Sequence, residues 1–151
     1  MKMAIVDDEQ QWIELAKKQV MDYWKQDVDI FTYPSGKTFL DAKEEFDLIL
    51  MDIEIPLKKI VYFEVVLRAV KLHTDTEEYT CMEQISKLEK QLKQDGFFMP
   101  HRSCLLNFQW VQSFTNNEII MKNGDKLSLS RRKYKEWKIA YFEWKFDRAN
   151  G

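Results

Sequence analysis

The chain has 151 residues, of which 45% are hydrophobic and 32% are charged, and its formal net charge is −2. This length and apolar content indicate a globular protein with one ordinary domain or two small ones. No stretch approaches the roughly 20 apolar residues of a membrane span, and the N-terminus becomes acidic at Asp7 and Asp8, too early for a signal peptide. We therefore expect a cytoplasmic protein without membrane partners. Cys81 and Cys104 lack CxxC spacing, which favours two free thiols over a disulfide or a zinc site.

The charges are distributed unevenly along the chain. Residues 1–56 contain 6 Lys/Arg and 13 Asp/Glu, a net charge of −7, whereas residues 57–151 contain 17 and 12, a net charge of +5. This asymmetry favours an acidic module joined to a module that binds polyanions, although solvated surface charge alone can produce such an offset.

The first third of the chain alternates between predicted strands and predicted helices. An apolar run at residues 3–7 precedes a helix with one apolar face formed by Ile13, Ala16, Val20 and Trp24. A strand at residues 28–32, a short helix at residues 37–45 and an apolar run at residues 46–52 follow. Unbroken apolar strands alternating with helices are typical of a parallel α/β sheet.

After Pro56 the pattern becomes rich in β-strands. Residues 59–65 and 67–74 are predicted strands, and Thr80 to Glu83 has the sequence of a capping box that opens a helix. The apolar stripe of that helix is predicted to be Met82, Ile85, Leu88 and Leu92, and its end is predicted at Gly96.

The final third is predicted to contain strands, a hairpin and a helix. Residues 97–103 are expected to pass from strand to loop, and residues 105–108 are expected to form a helical turn. Residues 110–115 and 118–122 are predicted strands, and Asn123-Gly124 indicates a type I′ turn into a strand at residues 126–130. A helix is expected from about Arg131 to Phe146.

Three carboxylates are expected to converge beyond the strand ends of the parallel sheet. Asp7 and Asp8 follow the first apolar run, and Asp52 follows the third. In a doubly wound sheet of the flavodoxin-like order, ligands bind beyond the carboxyl ends of the first and third strands. Clustered carboxylates repel one another, so the site is expected to recruit Mg²⁺ or to hold raised pKa values. With a metal bound, a carboxylate can accept a phosphoryl group.

The segments from Ala4 to Glu9 and from Phe46 to Pro56 resemble the opening and the middle of a response-regulator receiver domain. The resemblance implies that Asp52 is the phosphoacceptor and that Asp7, Asp8 and Asp52 bind Mg²⁺. In the intact family the partner is a cognate sensor histidine kinase. The chain departs from the family because it lacks a Lys-Pro dipeptide, the Ser or Thr of the fourth strand and two further βα units. We therefore expect a truncated, flavodoxin-like receiver fragment at residues 1–56, with weak or absent phosphorylation switching.

The second part carries three basic motifs, which are His101-Arg102-Ser103, the run from Ser130 to Lys135, and Tyr62-Phe63-Glu64 ahead of Arg68. Together they resemble the LytTR DNA-binding domain over about Ile55 to Phe146. The resemblance implies a mainly antiparallel β domain with two helices at residues 57–151, bound to repeated promoter sites in double-stranded DNA, with a homodimer possible there. The implied DNA contacts are Arg68, His101, Arg102, Arg131, Arg132, Lys133 and Lys135.

Each motif has a simpler interpretation by itself. The basic run after Ser130 can be a solvated helix face, and His101 can be a hydrogen-bonded loop residue. The aromatic series Tyr134, Trp137, Tyr141 and Trp144 is expected to pack in the core. The combined pattern predicts a non-enzymatic, DNA-binding transcription regulator of a two-component system. The alternative is a regulatory interaction protein that pairs or competes with full-length relatives.

Overall fold

A computed structural model of the chain describes residues 1–24, 27–52 and 55–151. These residues fall into two units, Met1–Glu54 and Ile55–Gly151. Within the described ranges, no helix combines the length and the apolar character needed to cross a bilayer.

The first unit contains a parallel three-stranded sheet with strand order β2-β1-β3. Its strands and helices are β1 (Lys2–Val6), α1 (Gln10–Trp24), β2 (Asp29–Tyr33), α2 (Gly36–Asp41) and β3 (Leu48–Met51). The central strand β1 is almost fully buried from Met3 to Val6, because the sheet is covered on both faces there. Strand β3 lies at an edge of this sheet, where Ile49 and Met51 are exposed.

Two details of the first unit differ from the sequence prediction. Helix α2 ends at Asp41, four residues early, and Leu40 is 73% exposed. Trp24, predicted on the buried face of α1, is 42% exposed. The 15-residue helix is roughly 22 Å long. A five-residue strand covers roughly 17 Å, so α1 is about one turn longer than the strand that precedes it.

The second unit contains two antiparallel sheets and two α-helices. The larger sheet has the order β6-β5-β4-β8-β7, and the smaller has the order β11-β10-β9. The strands of the larger sheet are β4 (Ile60–Val66), β5 (Ala69–Thr74), β6 (Glu78–Cys81), β7 (Phe97–His101) and β8 (Cys104–Asn107). The remaining strands and α-helices are α3 (Ile85–Leu92), β9 (Val111–Phe114), β10 (Glu118–Met121), β11 (Lys126–Ser128) and α4 (Tyr134–Asn150). Three short 3₁₀ helices lie at Leu57–Lys59, Lys93–Asp95 and Phe108–Trp110.

The larger sheet is the middle layer of the second unit. Leu105 on β8 faces a cluster that includes Leu88 of α3. Its neighbour Leu106 faces the opposite cluster, which includes Ile119 of the small sheet and Trp137 of α4. Because successive strand residues point to opposite faces, one apolar strand serves both cores.

The predicted capping box at Thr80 is wrong. Thr80 and Cys81 belong to β6, a strand that the sequence pattern did not predict, and Thr80 pairs with Lys71 of β5. Helix α3 begins only at Ile85, and Met82 is 83% exposed. The backbone of Thr80 is paired with β5, so Thr80 cannot act as the N-cap of a helix despite the local sequence pattern.

Three further local predictions need correction. The helical turn predicted at residues 105–108 lies later, as a 3₁₀ helix at Phe108–Trp110, because Leu105 pairs with Phe63 in the sheet. The hairpin at Asn123-Gly124 is confirmed, but only Gly124 has positive φ (92°), so the turn is not type I′. The last helix begins at Tyr134 rather than Arg131.

Trp137 is the centre of the aromatic core, as predicted for the α4 series. Its indole ring is fully buried, with ring centroids of Phe98, Phe108, Phe114 and Tyr141 between 5.3 and 5.6 Å away. Its buried Nε1–H has no hydrogen-bond acceptor among the described residues. The packing therefore stabilises the fold through ring area, while the unpaired donor opposes it.

We expect Trp137→Ala to lower the free energy of unfolding by about 3–5 kcal/mol, as large core truncations do. Trp137→Phe should cost much less, because it keeps most of the ring and removes the unpaired N–H. Urea denaturation of both variants measures the difference. Equal losses for the two variants would contradict this account of the core.

Candidate nucleic-acid interface

Arg68 lies at the tip of the hairpin that joins β4 to β5. The last paired residues are Val66 and Ala69, which leaves Leu67 and Arg68 as a two-residue turn. Both turn residues have positive φ, 48° and 70°, which is uncommon outside glycine. Both side chains are exposed, and Leu67 is 95% exposed. Strained turns of this kind are frequent at functional sites.

Arg102 lies at the tip of the hairpin that joins β7 to β8. His101 pairs with Cys104, so Arg102 and Ser103 form the turn, and Arg102 is exposed. Strand β8 pairs with β4, and the N–H of Val65 donates to the carbonyl of Ser103 at 2.9 Å. The tips that carry Arg68 and Arg102 therefore lie at the same end of the larger sheet.

The entry to α4 reaches the same end of the sheet. The N–H of Ser130 donates to the carbonyl of Pro100 at 3.0 Å, one residue before His101. Residues 131–133 then form a turn, in which Arg131 and Arg132 are exposed. The first exposed basic residue of the helix, Lys135, follows within one turn.

The structure thus gathers the sequence-predicted basic residues of the second unit at one sheet end, which we call the basic rim. Its members are Arg68, His101, Arg102, Arg131, Arg132, Lys133 and Lys135. The two hairpin tips are two strand spacings apart, about 10 Å. The tips are therefore close enough for one duplex to contact both.

Two members of the basic rim are less available than the others. Lys133 is half-buried, with its Nζ 3.3 Å from Oε2 of Glu136 and 5.8 Å from the centre of the Phe98 ring. His101 is also half-buried, and its Nδ1 accepts a hydrogen bond from the N–H of Ser103 at 3.2 Å. The neutral ring therefore carries its proton on Nε2, which can donate to a phosphate or a base.

His101 and its neighbours add little positive charge to the basic rim. Burial lowers the pKa of His101 below 6.5, while the nearby Glu64 carboxylate acts in the opposite direction. Burial raises the pKa of the Cys104 thiol to about 12, so Cys104 contributes no charge at neutral pH. Glu64 itself is hydrogen-bonded to Nε2 of His73 at 2.8 Å. Positive charge at the basic rim therefore comes from arginine and lysine.

Sequence reasoning gave no role to three residues that shape the basic rim. Ser103 and Pro100 act through their backbone carbonyls, which join the two hairpins and the α4 entry. Glu64 was noted only as part of a motif, although its carboxylate lies close enough to affect His101. Backbone contacts leave no side-chain signal, and the proximity of Glu64 and His101 follows from strand pairing.

The predicted carboxylates of the first unit lie at the carboxyl ends of neighbouring strands. Asp7 and Asp8 follow β1, and the N–H of Asp52 donates to the carbonyl of Val6 at 3.1 Å just beyond β3. Asp7 Oδ1 accepts from the N–H of Glu9 at 2.7 Å. Ile53 and Glu54, part of the motif around Asp52, lie outside the described residues.

The described residues contain no group of three or more His, Cys, Asp or Glu side chains that could hold a metal ion. Asp7, Asp8 and Asp52 therefore do not form a ready Mg²⁺ site with these side-chain positions, and Mg²⁺ binding by them stays a prediction. Cys81 and Cys104 are both free thiols.

Comparison with known proteins identifies the second unit. The family model described as the LytTr DNA-binding domain matches residues 52–141, and the chain belongs to this family. The chain is 35% identical over 101 residues to the sensory transduction protein LytT of Bacillus anthracis and, with the same identity, to that of Bacillus cereus. These matches cover 62% of the chain and 39% of each relative, so the chain spans well under half of their length.

A solved structure supports the same fold. A LytTr DNA-binding domain from Bacillus cereus superposes with a TM-score of 0.54 and 20% sequence identity, covering 58% of the chain and 85% of that domain. The predicted LytTR resemblance and its mainly antiparallel β architecture are therefore confirmed.

We expect His101 to make stability depend on pH. Its pKa is lowered in the folded state, so the unfolded chain binds more protons near that pKa. The stabilising contribution is complete above the unfolded pKa of about 6.5 and is lost as the pH falls through the lower folded value. Denaturation at a series of pH values should show a shallower acid loss for His101→Gln than for the parent. Parallel pH profiles would contradict the burial of a neutral His101.

Proposed function

We propose that the chain is a sequence-specific transcription regulator that binds double-stranded promoter DNA through the basic rim. The observation that carries the proposal is the convergence of two arginine-bearing hairpin tips and the α4 entry at one sheet end. Membership of the LytTR DNA-binding domain family supports the same ligand.

We assign different DNA contacts to the arginine and lysine residues of the basic rim. The planar guanidinium of Arg can bind guanine O6 and N7 together or span phosphates, whereas Lys mainly supplies charge. We assign base or phosphate contacts to Arg68, Arg102 and Arg132. His101 donates from Nε2 beside Arg102. The contacts to the DNA backbone are assigned to Arg131, Lys133 and Lys135.

We further propose that the first unit is a receiver fragment of a two-component regulator. Its strand order, β2-β1-β3, is the first part of the flavodoxin-like order 2-1-3-4-5, and Asp52 lies beside the end of β1. In this proposal Asp52 is the phosphoacceptor for a sensor histidine kinase, and Mg²⁺ bound by Asp7, Asp8 and Asp52 would neutralise their mutual repulsion. Phosphorylation is expected to be inefficient, because the sequence lacks the Lys-Pro dipeptide of a receiver and the Ser or Thr of its fourth strand.

DNA binding is tested with a duplex that the protein itself selects from a random library, titrated by fluorescence anisotropy. Affinity should fall steeply between about 50 and 200 mM salt, because binding releases counterions from phosphates. Arg102→Ala and Arg132→Ala should each reduce discrimination against a mismatched duplex by about 1–3 kcal/mol.

The matched control is Arg148→Ala. Arg148 is exposed and carries the same charge, but it lies 14 residues after the first helical residue, Tyr134, roughly 21 Å along the helix axis. Discrimination should be unchanged in this variant. Selection that enriches no sequence, or equal losses at Arg102 and Arg148, would overturn the assignment of the basic rim.

The receiver proposal is tested with acetyl phosphate and Mg²⁺, followed by intact mass measurement. We expect at most a small phosphorylated fraction, and none in Asp52→Asn. Mg²⁺ titration of the parent should show weak binding that Asp7→Asn reduces further. Stable, complete phosphorylation of Asp52 would show that the fragment is a working receiver.

A further inference from the structure

Helix α4 has a second apolar face, turned away from Trp137, and Phe142 at its edge lies 6.3 Å from the ring of Phe114. Trp137 and Tyr141 are buried, whereas Ile139, Phe142 and Phe146 are 53%, 56% and 69% exposed. The spacing of three and four residues aligns these three side chains along one side of the helix. We call them the α4 stripe. Large apolar side chains that are exposed in a continuous row mark an interaction surface.

Charged residues border the α4 stripe with one sign on each side. In heptad terms, Ile139 and Phe146 occupy position a and Phe142 occupies position d. Position g on one border is basic and position e on the other is acidic: Lys138 and Lys145 at g, Glu136 and Glu143 at e.

The basic and acidic borders of the α4 stripe do not form ion pairs with each other. Among the described residues, neither Lys138 nor Glu143 forms an ion pair. Lys138 Nζ instead lies 4.8 Å from the centre of the Tyr134 ring on the same helix. Glu136 of the acidic border pairs with Lys133, which lies outside the basic border. An α4 stripe with one basic and one acidic border is complementary to a copy of itself.

We propose that the α4 stripe binds the α4 stripe of a second copy of this chain, with the two helices parallel. In a parallel pair, position g of one helix faces position e of its partner, so Lys138 meets Glu143 of the second copy. The two-fold axis repeats this contact on the other side. An antiparallel pair would instead bring the two basic borders together.

The parallel sense also agrees with DNA binding, and this step rests on the proposed function. The basic rim includes the turn at the N-terminal end of α4. A parallel pair directs both of these turns toward the same side, where one duplex can contact both. Lys135, at the next d position, sets the N-terminal limit of the seam, because two copies would bring like charges together there.

The α4 stripe spans only eight residues, little more than one heptad, so we expect a weak dimer without DNA. Interfaces of stable complexes bury about 1,200–2,000 Å², more than three side chains per copy provide. Sedimentation equilibrium of the full chain without DNA, at concentrations up to about 1 mM, should detect it. A monomer throughout this range would overturn the proposal.

Exchanging the charges of Lys138 and Glu143 tests whether the two α4 helices are parallel. Lys138→Glu and Glu143→Lys should each raise the dimer dissociation constant on the order of tenfold, because each creates two like-charge pairs. The double variant should restore the parent value. In an antiparallel pair Lys138→Glu would tighten the dimer instead, so the sign of this single change decides the orientation.

Phe146→Glu tests the apolar seam, and Met82→Glu is its control. Both positions are strongly exposed, at 69% and 83%, so neither change removes core packing. Only Phe146→Glu should abolish the dimer. An unchanged dimer in Phe146→Glu would assign the association to another surface and overturn the proposal. Binding of each variant to a duplex with a single site is measured separately, so failure of the dimer and failure of DNA binding are distinguishable.

Discussion

The pairing of β4 with β8 determines the geometry on which the basic rim depends. These strands are about forty residues apart in the chain, and their register places Phe63 opposite Leu105. A slip of one residue would exchange Leu105 and Leu106 between the two cores, and both are fully buried. Core packing on two faces therefore specifies one register. Because hairpins extend from both strands at the same end, that register also brings the tips with Arg68 and Arg102 together.

The aromatic core connects helix α4 to the same site. Trp137 and Tyr141 stack at 5.5 Å and pack against Phe108 and Phe114 of the second unit. This packing holds the start of α4 against the sheet, where the Ser130–Pro100 hydrogen bond places the arginine turn beside His101. The residues that stabilise the domain are therefore different from those proposed to bind DNA. The core residues nevertheless hold the proposed DNA contacts in place.

The two units use charge in opposite ways. In the first unit, parallel pairing of β1 with β3 brings Asp7 and Asp52 to adjacent strand ends, where negative charge accumulates. In the second, antiparallel pairing and the α4 entry gather positive charge at one sheet end. Each cluster is costly in isolation, because like charges repel. In the proposed function, Mg²⁺ would relieve this repulsion in the first unit and the phosphates of DNA would relieve it in the second.

The sequence by itself determined the alternation of strands and helices, the hairpin at Gly124, the buried aromatic series of α4 and the basic motifs. These features follow from local periodicity and turn chemistry, and they were sufficient to indicate the LytTR domain. Tertiary structure alone decided that Thr80 belongs to a strand, that Met82 is exposed and that separate arginines share one sheet end. Those outcomes depend on pairing between strands that are distant in the sequence. The free energy of this pairing exceeds the local conformational preferences, and a short window of sequence carries no signal of it.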